Sequence, residues 1–241
     1  TNATITKGQG IGTIVDDEPL MSIRDVTVSE GNTGTRMAIF TVALSAVSDQ
    51  SVTVDYSTSD GSATAGSDYQ SASGTLTIPA GSPTGTVTVQ LNGDRIPEPN
   101  ETFVVNLTGP VNAGIADDQG VATILDDEPR VSISDVAKAE GRSRKTTSFT
   151  FTVTLSAAYD QPVTMSFSTA NGTATTSDND YVAKTGTLTF APGETTKTIT
   201  IEVKGDSKKE ADETFYLDLS GLSSNALFTK SRGAGTILND D

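Results

Sequence analysis

Two consecutive all-β domains, each a seven-stranded two-sheet sandwich with Greek-key connections, are what this sequence predicts. Three observations lead there. Apolar residues alternate with polar ones in short runs, with a period of two and not 3.6. Turn residues punctuate the runs at short intervals. And a set of landmarks recurs after about 110 positions, the length of one small sandwich.

The elements follow in order. Met21-Ser22-Ile23 and Val26-Thr27-Val28 read as a broken first strand, closed by Ser29-Glu30-Gly31. The run from Arg36 to Ser45 places Ala38, Phe40, Val42 and Leu44 on one face, and Ser51 to Thr58 does the same with Val52, Val54 and Tyr56. Gly74–Ile78 is short and turned by Pro79-Ala80-Gly81. Val87, Val89 and Leu91 share a face, as do Phe103, Val105 and Leu107, and Val121–Leu125 closes the unit. The second repeat reproduces this at Phe149-Phe151-Val153-Leu155, Val163-Met165-Phe167, Leu188-Phe190, Ile199-Ile201-Val203 and Phe215-Leu217-Leu219. Thr and β-branched residues dominate, as strands favour. The Gly/Ser/Asn/Asp clusters at 59–68 and 170–180 read as loops, and no stretch supports a long helix.

The repeat boundary is marked by Gly12-Thr13-Ile14-Val15-Asp16-Asp17-Glu18-Pro19, which recurs as Ala122–Pro129 and again as Gly235–Asp241. Asp16 and Asp126 are 110 positions apart, Asp126 and Asn239 are 113, and Asp94 and Asp206 are 112. The expected division is therefore a tail of an earlier repeat at 1–18, one domain at 19–128 and a second at 129–241, the whole being a fragment of a longer array.

The 241 residues carry 16 basic and 31 acidic side chains, a net charge of −15. That sign excludes a basic nucleic-acid face and charge-driven docking on anionic membranes; it suits a dication or a basic partner, or simply solubility. Without Cys or His there is no disulfide framework, no thiolate or imidazole metal site and no His-based triad. No apolar run is long enough to insert in a membrane. Cysteine-free, acidic, Thr/Ser/Gly-rich composition is that of bacterial extracellular or cell-surface arrays, and the lack of Cys suits a cytosolic domain as well.

The densest chemistry is the frame Asp-x₃-Glu-x₂-Glu-Thr-Phe, present as Asp94–Phe103 with Glu98 and Glu101, and as Asp206–Phe215 with Glu210 and Glu213. Three carboxylates in eight residues repel one another unless a hard cation sits among them. Calcium takes about 6–8 oxygen ligands at roughly 2.3–2.6 Å, from carboxylates and backbone carbonyls. Solvated loop acids are the plainer explanation of any one such pair.

In their order, Ser-Glu-Gly (29–31), Asp60–Tyr69, Gly-Thr-Leu-Thr-Ile (74–78), the acidic frame and the closing Thr-Ile-Leu-Asp-Asp resemble the Calx-β domain of sodium/calcium exchangers. The second repeat matches with Ala-Glu-Gly (139–141), Asn171–Tyr181 and Gly186–Phe190. The resemblance covers 19–241, with 1–18 as the end of a third copy. It implies an immunoglobulin-like sandwich in each repeat, with calcium ions clustered at one end of it. By motif position the ligands would be Glu30, Asp68, Asp94, the Ile96 carbonyl, Glu98, Glu101, Asp126 and Asp127, with Glu128 continuing the acidic run. In the second repeat they would be Glu140, Asp180, Asp206, Glu210, Glu213 and Asp240, with Asp241 beyond. Departures from the pattern are Gly93 and Gly205 in place of a further Asp, Asn239 in place of the first closing Asp, and Lys208 and Lys209 inside the second acidic loop.

The expected function is a calcium-binding structural repeat in which the ion orders the loops and the linker. The alternatives are a calcium-sensing regulatory domain of a membrane transporter, or a non-catalytic adhesion module binding protein or glycan. The expected partners are calcium, neighbouring repeats and such a protein or glycan, with no nucleic acid and no membrane insertion. Catalysis is not expected, because the same acidic set recurs in both repeats with no nucleophile and base beside it.

Overall fold

The computed structural model describes residue 4 and residues 6–13, 18–141 and 144–240. Asp16, Asp17 and Asp241 lie outside these, so the expectations placed on them have no structural counterpart here.

The first repeat contains β1 (Leu20–Ile23), β2 (Val26–Ser29), β3 (Gly34–Leu44), β4 (Val52–Asp60), β5 (Ser73–Ile78), β6 (Thr84–Gly93), β7 (Glu101–Val111), β8 (Gly114–Asp117) and β9 (Gln119–Leu125). The second contains β10 (Arg130–Ile133), β11 (Val136–Ala139), β12 (Thr146–Leu155), β13 (Val163–Asn171), β14 (Thr185–Phe190), β15 (Thr196–Lys204), β16 (Glu213–Ser220), β17 (Leu227–Lys230) and β18 (Arg232–Leu238). Each repeat is a sandwich of a four-stranded and a five-stranded sheet. The orders are β6-β3-β1-β8 with β2-β9-β7-β4-β5, and β15-β12-β10-β17 with β11-β18-β16-β13-β14. Among the described residues there is no helix.

The break in the first strand is real and has a topological purpose. β1 pairs antiparallel with β3 in one sheet, while β2 crosses to lie beside β9 in the other. The crossing carries the Ser29-Glu30-Gly31 turn to the rim of the five-stranded sheet. The short strand β8, parallel to β1, and its counterpart β17 add to the seven expected strands. Both have too few alternating positions to stand out by periodicity.

Alternation sets the cores. Phe40, Val42, Val54, Leu91, Phe103 and Val105 are buried in the first sandwich, and Phe149, Phe151, Met165, Val203, Phe215 and Leu217 in the second. Each core is pinned by an aromatic stack. The Tyr69 ring lies 4.1 Å from that of Phe103, at 11°, and Tyr181 lies 4.5 Å from Phe215, at 19°. The stacked phenols are not orphaned: Tyr69 donates to Asp60 and Tyr181 to Asn171.

The described chain divides into two compact units. The first takes in the residues up to Val28, Arg36–Asn92 and Glu101–Ile124; the second takes in Ser29–Thr35, Gly93–Asn100 and the chain from Leu125 onward.

Truncation of Phe103 to Ala removes half of the first stack. It should cost about 3–5 kcal/mol, read as a lowered urea midpoint. The same variant should also blunt any calcium-induced rise in melting temperature, because Asp68 and Glu101 flank the two rings.

Candidate metal centre

The loops that carry the acidic residues are held by local bonds that the sequence motifs specify. Asp94 Oδ1 accepts from Ile96 N at 2.7 Å, the side-chain turn expected of an Asp that opens a loop. Asp68 Oδ2 accepts from Thr64 N at 2.6 Å, and Asp127 Oδ1 accepts from Gly31 N at 2.8 Å. Gly31 has φ of 83°, in the left-handed region that suits glycine. Opposite it, a Cβ on Gly93 would stand 2.2 Å from the Gly31 carbonyl oxygen. The missing Asp at position 93 thus has a steric reason: two backbones touch where the resemblance would put a side chain.

Two groups of carboxylates converge in the first repeat. Glu30, Asp126 and Glu128 each bring an oxygen within 4.8 Å of the others, and so do Asp68, Glu98 and Glu101. The first group is the deeper. Glu30 is 5% exposed and Glu128 3%. Glu30 Oε1 and Glu128 Oε2 are buried with no hydrogen-bond partner. Burial pushes Glu30 up to about 8, with the charges of Asp94, Glu128, Glu98 and Asp126 adding to it. Burial and the hydrogen bond with Asp126 raise Glu128 to about 7. Unsatisfied carboxylate oxygens are costly in a dry setting, and a hard cation is the ligand that satisfies several at once. The donor set, all oxygen with no imidazole or thiolate, fits calcium.

One positive group already reaches this tip. Arg130, the first residue of β10, donates from Nη2 to Asp126 Oδ2 at 2.6 Å and to the Glu98 carbonyl at 2.9 Å. Asp126 Oδ1 accepts from Glu98 N at 2.7 Å. Asp126 therefore joins the 93–100 loop to the linker. Its neighbours Glu128 and Tyr159 approach at 3.5 Å.

In the second repeat, Asp180, Glu210 and Glu213 form a group within 4.8 Å. Burial, then the charges of Asp180 and Glu210, raise Glu213 to about 7. Lys208 Nζ sits on Glu210 Oε1, so an ammonium already neutralises part of this group. The counterpart of Asp126 is Asn239, whose amide oxygen accepts from Glu210 N. It keeps the bond and loses the charge. Glu140 is 6% exposed and lines the same recess with Asp180, Glu210, Glu213 and Asn239; the position matching Glu128 is Asp241, outside the described residues.

Of the residues expected from the sequence, Glu30, Asp68, Glu98, Glu101, Asp126, Asp180, Glu210 and Glu213 enter these groups. Asp94 and Asp206 stand at the loop starts, each accepting from a backbone N–H two residues on. Asp127 and Asp240 cap Gly31 and Gly141. Ile96 is exposed at 59%, with its carbonyl in the loop between Asp94 and Glu98. Glu128, read from the sequence only as a continuation of the acidic run, is a central member. Arg130 and Tyr159 had no signal, because charge pairing across the linker leaves no periodic trace.

Comparison with known proteins places these features in a family. The family profile described as "Calx-beta domain" matches residues 15–128 and 126–241. Sodium/calcium exchanger 2 of Rattus norvegicus is 29% identical over 186 residues, covering 69% of this chain and 20% of the exchanger. Sodium/calcium exchanger 1 of Canis lupus familiaris is 27% identical over 187 residues, covering 70% and 19%. The chain thus spans about a fifth of the length of these curated relatives. Among solved structures, CBD12 from CALX1.2 and the calcium binding domain CBD12 of CALX1.1 each align over 90% of this chain and 99% of their own. Both have a TM-score of 0.55, at 20% and 19% identity; at that identity the likeness is one of fold.

Two outcomes are expected. Gly93→Ala should destabilise by about 1–3 kcal/mol in thermal melts, as Gly31 and Glu30 are pushed aside. The second concerns pH. Glu30 and Glu128 titrate above their ordinary 4.5 when folded, so protonation favours the folded state. Their contribution is complete below about 4.5 and is lost as pH rises through 7 to 8. In chelator, the melting temperature should fall between pH 5 and 8.5 more steeply in the wild type than in Glu30→Gln/Glu128→Gln, while calcium affinity rises over the same window.

Proposed function

The chain belongs to the Calx-beta family, and from that premise we propose that it is a tandem calcium-binding regulatory module, not an enzyme, whose first repeat carries the main ion site. The observation that supports this most is the buried Glu30–Asp126–Glu128 group with its two unpartnered oxygens. A bound calcium supplies two positive charges that cancel the repulsion among them. Glu30 holds the 29–35 loop to that point, Asp126 the 93–100 loop, and Glu128 the linker. Ion binding therefore draws three segments together and fixes the path by which the chain enters β10. That coupling of occupancy to linker geometry is what a regulatory segment needs.

The kinship with sodium/calcium exchangers supports placing the module in a regulatory part of a membrane transporter. A second reading keeps the module as a spacer in a repetitive surface protein. It is favoured by Gly12–Pro19, which repeats the junction Ala122–Pro129. In both readings the working units are 19–128 and 129–241, with 1–18 belonging to a further copy.

The second repeat binds more weakly or not at all in this proposal. Lys208 competes for Glu210, and Asn239 has no charge to offer.

Calorimetric titration and scanning calorimetry test the proposal together. Millimolar calcium should raise the melting temperature of the wild type; occupancy at a hundred times Kd corresponds to about 2.7 kcal/mol. Glu30→Gln/Glu128→Gln should melt no lower than wild type in chelator yet lose most of the calcium response. Lys208→Gln/Asn239→Asp should gain a binding event. Identical melts of the wild type in chelator and in calcium would overturn the reading.

A further inference from the structure

In the first sandwich, Glu18, Pro19, the loop 47–50 and Asn112 enclose an open recess of about 400 Å³. The same corner is built in the second sandwich with matching bonds. Leu20 N donates to Ser45 Oγ and Arg130 N to Ser156 Oγ, both at 2.9 Å. The Pro19 carbonyl accepts from Gly114 N and the Pro129 carbonyl from Leu227 N; Gly81 N donates to the Ser48 carbonyl and Gly193 N to that of Tyr159. The Asn112 amide donates to the Ser51 carbonyl at 2.9 Å, the Asn225 amide to the Pro162 carbonyl at 3.2 Å. These pairs place Asp49 where the second repeat has Asp160, Ser48 where it has Tyr159, and Glu18 where it has Glu128.

In the second unit this corner has an occupant. Arg95, on the 93–100 loop that belongs to that unit, donates from Nη2 to Asp160 Oδ2 at 2.7 Å. Glu128 is buried at its side against Tyr159. The segment leading into the corner is also repeated, since Gly12–Pro19 matches Ala122–Pro129 residue class by residue class.

We infer that the Glu18–Asp49 corner is an acceptor for the acidic-tip loop of a further copy of this module, which enters with a basic side chain in the position of Arg95. Three features select that occupant: the shared frame, the carboxylate of Asp49 in register with Asp160, and the repeated lead-in. The chain's own second tip is a poor donor, because Ser207 stands where the first has Arg95. The corner therefore joins modules in a defined order and does not drive indiscriminate self-association. The corner carries Glu18, the counterpart of Glu128, so the inference touches the calcium reading; reversals at Asp49 and Arg95, which belong to neither carboxylate group, separate the two.

A three-repeat chain tests this, made by placing a copy of residues 19–128 before Pro19 in place of 1–18. Rotational correlation times from ¹⁵N relaxation are compared for the added copy and its neighbour, in chelator and in millimolar calcium. The expected result is joint tumbling in at least one condition. It should be lost on Asp49→Arg, lost on Arg95→Glu in the added copy alone, and restored when both reversals are combined. Independent tumbling of the added copy in both conditions, or joint tumbling indifferent to the single reversals, would overturn the inference.

Discussion

Part of each acidic tip is carried next to a ring stack, Tyr69 on Phe103 in the first repeat and Tyr181 on Phe215 in the second. Each ring is buried, and each stands beside a carboxylate: Asp68 precedes Tyr69, while Glu101 lies two residues before Phe103. Burying the aromatic pair is strongly favourable. That gain holds mutually repelling charges at a separation they would not choose. The core thus holds like charges close together at the rim, and under the proposed function a cation would relieve their repulsion.

The two repeats spend the same scaffold differently. In the first, Glu30 and Glu128 are driven above the usual carboxylate range by burial among like charges. In the second, the charge has been drawn down: Asn239 replaces an acid and Lys208 neutralises another. The hydrogen-bond frame survives both changes. Glu210 N still finds an oxygen, as Glu98 N does. The shape of the tip is thereby separable from its charge.

Arg130 and Arg95 show how a short linker acquires a fixed course. One guanidinium ties β10 to Asp126 and Glu98; the other reaches Asp160. Exposed ion pairs are individually weak, but Asp126 is nearly dry, with its side chain 3% exposed. A charge pair in that position specifies geometry more than it adds stability. Under the proposed function, calcium would address the same carboxylate as Arg130, and occupancy of the site would then be linked to the path of the chain.

Much of this was legible without coordinates of any atom. Period-two alternation at Phe40–Leu44 or Phe149–Leu155, and landmarks returning after about 110 residues, determine a pair of sandwiches, because a strand that buries one face admits no other pattern. The acidic frames and the Glu-Gly turns at 30–31 and 140–141 likewise mark which loops hold the candidate ligands. What the sequence cannot rank is which acids meet. Asp94 and Asp127, as conspicuous as any, are turned to cap backbone N–H groups, while Glu128, one acid in a run, ends up buried at the centre. Gly93 reads as a lost ligand until the Gly31 carbonyl is seen against it. Those outcomes depend on distances between segments far apart in the chain, set by how β2, β7 and β9 pack. Only the tertiary structure decides them, because burial and repulsion act through space and not along the sequence.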